Sequence, residues 1–178
     1  VTAVDSKVMK VLSETVTPCG ILAVVRKNTA DKNIDGNVVI LDGISDPGNF
    51  GTIIRTCAAL GIKNILAIES VDYTSGKVVR SSMGGVFRTD IIECSREEAL
   101  EIVKDYNLYA LDMGGENIFG EFKPQMPYAL TVGSESKGLS RIFRDKASIV
   151  ALPMSGDMES LNAAVSLSVA LYAFEYRK

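Results

Sequence analysis

Histidine is absent from the 178-residue chain. Its absence excludes Ser-His-Asp hydrolysis, zinc sites built on imidazole and any catalysis that uses histidine as a general base. Cysteine is scarce and odd in number: Cys19, Cys57 and Cys94 lie far apart, each in an apolar stretch, so neither a disulfide framework nor a C-x-x-C metal site is expected, and the three read as buried thiols. No apolar run approaches the ~18 residues of a membrane span. The opening residues VTAVDSKVMKVLSETV interrupt their apolar positions with charges, so they do not read as a secretory signal, and the expected location is the cytoplasm. Excess positive charge is also missing. A net charge of -3 excludes a chain that holds nucleic acid by bulk basicity alone. Two familiar nucleotide signatures are lacking as well: no Gly-x-Gly-x-x-Gly follows a strand, and no Gly-x-x-x-x-Gly-Lys-Ser/Thr loop occurs.

What remains is the composition of an ordinary globular domain, 47% hydrophobic and 23% charged, at a length that suits one domain with a sizeable core. Short β-branched runs predict buried strands at 20–25, 37–43, 64–69, 89–94, 107–113, 128–133 and 147–152, and amphipathic segments predict helices near 50–61, 76–83, 96–106, 138–145 and 160–176. That alternation calls for an α/β fold on a mainly parallel sheet with helices on both faces. Ser95 and Glu98 have the spacing of a capping box at the helix that begins at 96. The last helix is rich in Ala and Ser, small enough for another element, a partner subunit included, to approach closely. Asn28 to Gly36 is polar and reads as a surface loop. The segment up to about Lys10 reads as a charged helix or linker.

Three polar, glycine-bearing turns stand at carboxyl ends of predicted strands, where open α/β sheets build their crevices. The first holds Asp46-Pro47-Gly48 at a tight turn, Asn49 as the expected cap of the next helix, and Arg55, expected one turn in and near the helix N-terminus, where a guanidinium and free amides favour the same phosphate. The second, LTVGSESKGLS, brings Glu135 to a strand tip between Gly133 and Gly138. In the third, Pro153 and Met154 precede a loop, with Ser160, Leu161 and Asn162 at the start of an apolar helix, Ser160 being the expected cap. Taken singly, each turn reads equally well as a capped helix end beside a solvated loop.

Together the three resemble the signature motifs of the SpoU (TrmH-like) RNA ribose 2'-O-methyltransferases. Asn-x-Gly-x-x-x-Arg-Thr is present as Asn49 to Thr56, Gly-x-Glu-x-x-Gly-Leu as Gly133 to Leu139, and Pro-Met-x-Gly-x-x-x-Ser-Leu-Asn as Pro153 to Asn162, in order and at the family's spacing. The segment Arg80-Ser81-Ser82-Met83-Gly84 is also of a kind the family tends to carry, and the likeness runs from about Pro18 to the end.

The resemblance implies a carboxyl-terminal deep trefoil knot and S-adenosylmethionine as cofactor, with no metal. It implies a cofactor pocket at Leu111, Asp112, Met113, Gly133, Leu152, Met154 and Leu161, and a catalytic set of Arg55, Asn49, Glu135, Ser160 and Asn162. It further implies a homodimer with a composite site and an RNA substrate, ribosomal RNA first and tRNA as the alternative. Residues 1–17 are expected to lead from an upstream RNA-binding domain into a catalytic domain at 18–178. Arg55, Lys77, Arg80, Arg88, Arg141 and Arg144 are candidates for a local basic patch. A noncatalytic RNA-binding or assembly module on the same fold is the competing reading. An ordinary doubly wound nucleotide enzyme would carry a glycine fingerprint that this chain lacks.

Overall fold

The computed structural model describes residues 1–13, 15–26, 34–155 and 160–176. Six strands, β1 (Val38–Asp42), β2 (Asn64–Ile68), β3 (Asp90–Glu93), β4 (Asn107–Asn117), β5 (Tyr128–Gly133) and β6 (Ser148–Ala151), form one sheet in the order β3-β2-β1-β5-β4-β6. Every strand pair is parallel. The three central strands are buried along their whole length, as their unbroken apolar runs require when helices cover both faces of a parallel sheet.

Alternate side chains of each strand feed two cores. On one face Val39, Leu41, Ile65 and Leu130 pack with Phe50, Ile53, Ile54 and Cys57 of α2 (Pro47–Leu60) and with Leu167, Leu171 and Phe174 of α6 (Ala163–Tyr176). On the other face Val38, Ile40, Leu66 and Ala129 meet Ala99 of α4 (Arg96–Ile102) and Phe143 of α5 (Arg141–Arg144). The remaining helices are α1 (Ser6–Leu12), which buries nothing, and α3 (Gly76–Ser81), which leads into a single 3-10 turn at Gly85–Phe87. The expected capping box is present: Ser95 Oγ accepts the Glu98 amide at 3.1 Å and Glu98 Oε2 the Ser95 amide at 2.9 Å.

The structure corrects several expectations. Residues 20–25 form no strand: Ile21, Leu22, Val24 and Val25 are exposed, and neither sheet edge, β3 or β6, hydrogen-bonds to them. A β-branched run becomes a strand only when a neighbour supplies its ladder. Cys19, in the same stretch, is exposed and not a buried thiol; Cys57 is buried and Cys94 partly so. Helix α2 starts three residues early because Asp46, not Asn49, caps it, accepting the Asn49 amide at 2.8 Å with Pro47 in the first turn. Helix α6 starts at Ala163, and its cap is Asn162, not Ser160: Asn162 Oδ1 accepts the amides of Ala164 and Val165 at 3.0 and 3.2 Å. The expected helix at 138–145 shrinks to the one turn of α5. The loop expected at 28–36 lies mostly outside the described residues. So do residues 156–159 of the segment between β6 and α6, on whose path the deep knot implied by the resemblance rests.

Chain order places the site. From β1 the chain runs outward through β2 and β3, then crosses to β4 on the other side and comes back to insert β5 between β4 and β1, so the strand order switches direction between β1 and β5. The crevice above the carboxyl ends at such a reversal is the usual binding place in open α/β sheets. Next to it, pairing of β4 with β6 jumps from Leu111 to Glu116, both opposite Val150, so the intervening residues bulge out of the ladder at the strand end.

Candidate active site

The loops after β1, β4, β5 and β6 converge on this crevice, and two adjoining cavities open there. The larger, about 190 Å³, is lined by Leu111, Asp112, Met113, Gly133, Leu152, Met154 and Leu161, together with Ser134, Glu135, Leu139 and Ser160. All seven residues expected at a cofactor pocket therefore stand on one cavity wall. Its volume falls below the roughly 300 Å³ at which small-molecule sites usually begin. The smaller cavity, about 100 Å³, lies between the β1–α2 turn and the β5 loop and is lined by Ile44, Ser45, Asp46, Asn49, Ser134, Glu135, Ser136 and Ala163. Ser134, Glu135 and Ala163 belong to both walls.

On that shared wall the three turns meet in one hydrogen-bond cluster. Glu135 Oε1 accepts from Asn49 Nδ2 at 2.8 Å, from Asn162 Nδ2 at 2.8 Å and from the Ala163 amide at 3.4 Å, while Asn162 Nδ2 also donates to Asn49 Oδ1 at 3.0 Å. Residues separated by 86 and 113 positions are thus joined through one carboxylate oxygen. The other oxygen, Oε2, makes no hydrogen bond to the described residues and faces solvent with the rest of the exposed side chain.

The loop that carries Glu135 is tightly folded. Gly138 donates to the Ser134 carbonyl at 2.8 Å and Lys137 to Ser134 Oγ at 3.0 Å. A side chain at Gly133 would run into the backbone of Gly138 and Leu139, so only glycine lets the loop fold back onto the strand end.

Arg55 is not brought to this cluster. It lies eight residues beyond Pro47, about 12 Å along α2 at 1.5 Å per residue, exposed, without a hydrogen bond or ion pair to the described residues, and on neither cavity wall. The expectation that it sits beside the helix N-terminus fails because the helix begins earlier. The candidate basic patch is partly neutralised: Lys77 reaches Asp46 at 4.0 Å, Arg141 reaches Asp145 at 3.3 Å, and Arg144 reaches Asp112 at 2.5 Å.

One polar group near the crevice was not singled out from the sequence. Arg96 spans Asp42 and Glu69, the ends of β1 and β2; its hydrogen bond holds the Glu69 carboxyl below its ordinary value and is returned as a raised guanidinium pKa. An acidic residue closing an apolar strand, as Asp42 does, was the available signal. Elsewhere burial pushes the Cys57 thiol up to about 12, and burial aided by the Glu175 carboxylate, 2.6 Å away, raises the Tyr128 phenol.

The chain and its fold have counterparts among known proteins. The SpoU rRNA Methylase family matches residues 36–172. The chain is 38% identical over 144 residues, 77% of its length, to the 23S rRNA (adenosine(1067)-2'-O)-methyltransferase of Streptomyces azureus, and spans 53% of that relative. Among solved structures, the AdoMet-bound rRNA methyltransferase of Sinorhizobium meliloti superposes with a TM-score of 0.73 at 30% identity, over 78% of this chain and 55% of that one. The SpoU methyltransferase AviRb of Streptomyces viridochromogenes, in complex with AdoMet, gives 0.72 at 32% identity, over 78% and 59%. The chain therefore spans little more than half the length of these relatives.

Proposed function

Because the chain belongs to the SpoU rRNA methylase family, we propose that it transfers the methyl group of S-adenosylmethionine to a ribose 2'-hydroxyl of RNA, with ribosomal RNA as the preferred substrate and tRNA as the alternative. The observation that carries this reading is the Asn49–Glu135–Asn162 cluster on the wall between an apolar cavity and a polar one.

The larger cavity suits an adenosyl group. Leu111, Met113, Leu139, Leu152, Met154 and Leu161 offer apolar surface for a flat base, and backbone polar groups of the strand ends supply its edges. S-adenosylmethionine supplies an electrophilic methyl on a sulfonium. The chain's part is to seat a ribose in the smaller cavity, align its 2'-oxygen across the shared wall and promote loss of the hydroxyl proton as the oxygen takes the methyl. In this reading Glu135 Oε2, without a hydrogen bond to the described residues, is left to accept that proton, while Asn49 and Asn162 hold Oε1 and so fix the carboxylate's rotation. Ser160, on the wall of the larger cavity, is a further hydroxyl within the site.

Arg55 acts on the RNA phosphate and on developing negative charge at the 2'-oxygen, a role that follows from a permanently charged guanidinium better than that of base does. Its place outside both cavities of one protomer is accounted for by a homodimer with a composite site. Helix α6 supports that dimer. Its inner face is buried, yet Val165, Val169, Tyr172 and Tyr176, with Leu161 just ahead of the helix, leave a second apolar stripe between 38 and 71% exposed. A helix that is apolar all round needs cover on both sides. Val169→Glu should convert the dimer to monomer in light scattering and abolish transfer while leaving each protomer folded.

No helix among the described residues is long and apolar enough to cross a membrane, and the cytoplasm is the location proposed together with an RNA substrate. Residues 1–17, with the exposed helix α1, are the approach to the domain at 18–178, joined in this reading to an upstream RNA-binding part. The competing reading, a binding module, draws on the isolation of Arg55. Calorimetric titration of S-adenosylmethionine followed by transfer to rRNA and tRNA transcripts, wild type beside Glu135→Gln, tests the proposal. Binding with transfer that the variant loses supports it. Binding without transfer on either RNA supports the module.

A further inference from the structure

Arg96 opens α4 at its first turn, where a cation works against the helix dipole. It is held there by partners outside the helix. Nε and one terminal nitrogen each lie 2.9 Å from Asp42 Oδ1, and the fork grips Glu69 at 2.6 and 2.9 Å. Glu69 meets it from a backbone φ of 44°, a conformation that a non-glycine residue adopts only when its surroundings demand it. Asp42, whose side chain is only 2% exposed, divides its oxygens: Oδ1 faces Arg96, and Oδ2 accepts the Ser140 amide at 3.0 Å.

Ser140 is where the Glu135 loop ends. The near end of that loop is fixed by β5; its far end leads into α5, a single turn too short to be stable by itself and seated in the core through Phe143, with Leu139 buried just before it. The Asp42–Ser140 bond ties the far end to the sheet, and Arg96, bonded to the other oxygen, holds the Asp42 carboxylate in the orientation that makes it. Neither Asp42 nor Arg96 lines either cavity.

We propose that Asp42 and Arg96 are positioning residues for the methyl transfer: by anchoring the loop from Gly133 to Ser140 they set the Glu135 carboxylate and the Gly138–Leu139 wall of the larger cavity. The inference rests on the function proposed above. It predicts that damage to the pair acts through Glu135 and not through general stability.

The test is a double-mutant cycle with an independent reading of the loop. In Asp42→Asn, amide hydrogen exchange should quicken across residues 134–140 and S-adenosylmethionine should bind more weakly. Turnover should fall by about ten- to a hundredfold, the range that a misplacement of about 1 Å produces. In a Glu135→Gln background the residual turnover, measured at saturating S-adenosylmethionine, should fall less than about twofold on the same substitution, because the group it positions is already gone. Arg96→Lys, which keeps one charge-assisted contact, should fall between wild type and Arg96→Met, and serves in place of Asp42→Asn if that variant does not fold. An equal fall in both backgrounds, or a fall in melting temperature with unchanged loop exchange and cofactor affinity, would overturn the proposal and leave a purely structural ion pair. A wild-type protein that binds no S-adenosylmethionine would refute the proposed function instead, and the anchoring itself would still stand or fall on the exchange at 134–140.

Discussion

Asn162 carries two duties that different substitutions separate. Its Oδ1 caps α6 through the amides of Ala164 and Val165, and its Nδ2 donates to Glu135 and Asn49. Asn162→Ala removes both. Loss of a cap of this kind costs about 1 kcal/mol, which lowers the melting temperature of a domain this size by roughly 2–4 °C. Asn162→Asp keeps the cap, since aspartate is as good an N-cap and its charge suits the helix N-terminus. It replaces the donor, however, with a carboxylate set against Glu135 Oε1 and Asn49 Oδ1. The two variants should therefore part company. Scanning calorimetry should find Asn162→Ala less stable by that amount and Asn162→Asp close to wild type, while the methyl-transfer assay should find Asn162→Asp at least as impaired as Asn162→Ala. An aspartate variant with wild-type turnover would refute the claim that the amide donor orients Glu135. An alanine variant with an unchanged melting temperature would refute the cap.

Three further outcomes follow from the same structure. Gly133→Val forces a side chain into the Gly138–Leu139 backbone, so calorimetry should register weaker S-adenosylmethionine binding, because Gly138 and Leu139 line the larger cavity and must shift. In the native protein a thiol reagent should label exposed Cys19 first and leave Cys57 untouched, its thiolate suppressed by burial that pushes its pKa to about 12; Cys57 should react only after denaturation. Arg96 lowers the Glu69 pKa below its ordinary 4.5, so the contribution of this pair is fully present above that value and is lost as the pH falls through the lower folded-state pKa. Melting temperatures of wild type and Glu69→Gln should therefore differ near neutrality and converge in acid.

The strands of the central sheet were legible because burial on both faces leaves an unbroken apolar run, as in VVILD and NILAI. GILAVV reads in the same way, yet it stands outside the sheet, since the pattern reports only that a segment can be a strand and not that a neighbour is present to pair with it. Helix starts slipped for a local reason: Asp46 and Asn49 compete for one cap, as do Ser160 and Asn162, and backbone direction, which spacing does not encode, decides between them. The convergence of Asn49, Glu135 and Asn162 was reached through motif order and not through any local rule. The Asp42–Arg96–Glu69 group escaped notice because its members lie on three different elements, and each alone looks like an ordinary surface or strand-end charge.

Ribose methylation by this chain is the activity proposed above. The most direct measurement mixes the protein with methyl-tritiated S-adenosylmethionine and unmodified RNA, beside Arg55→Ala, and resolves the nuclease digest into nucleosides. The proposed ribose methylation predicts label on 2'-O-methylated nucleosides with the wild type and none with the variant. Label on a base, or equal ribose labelling by the variant, would contradict it.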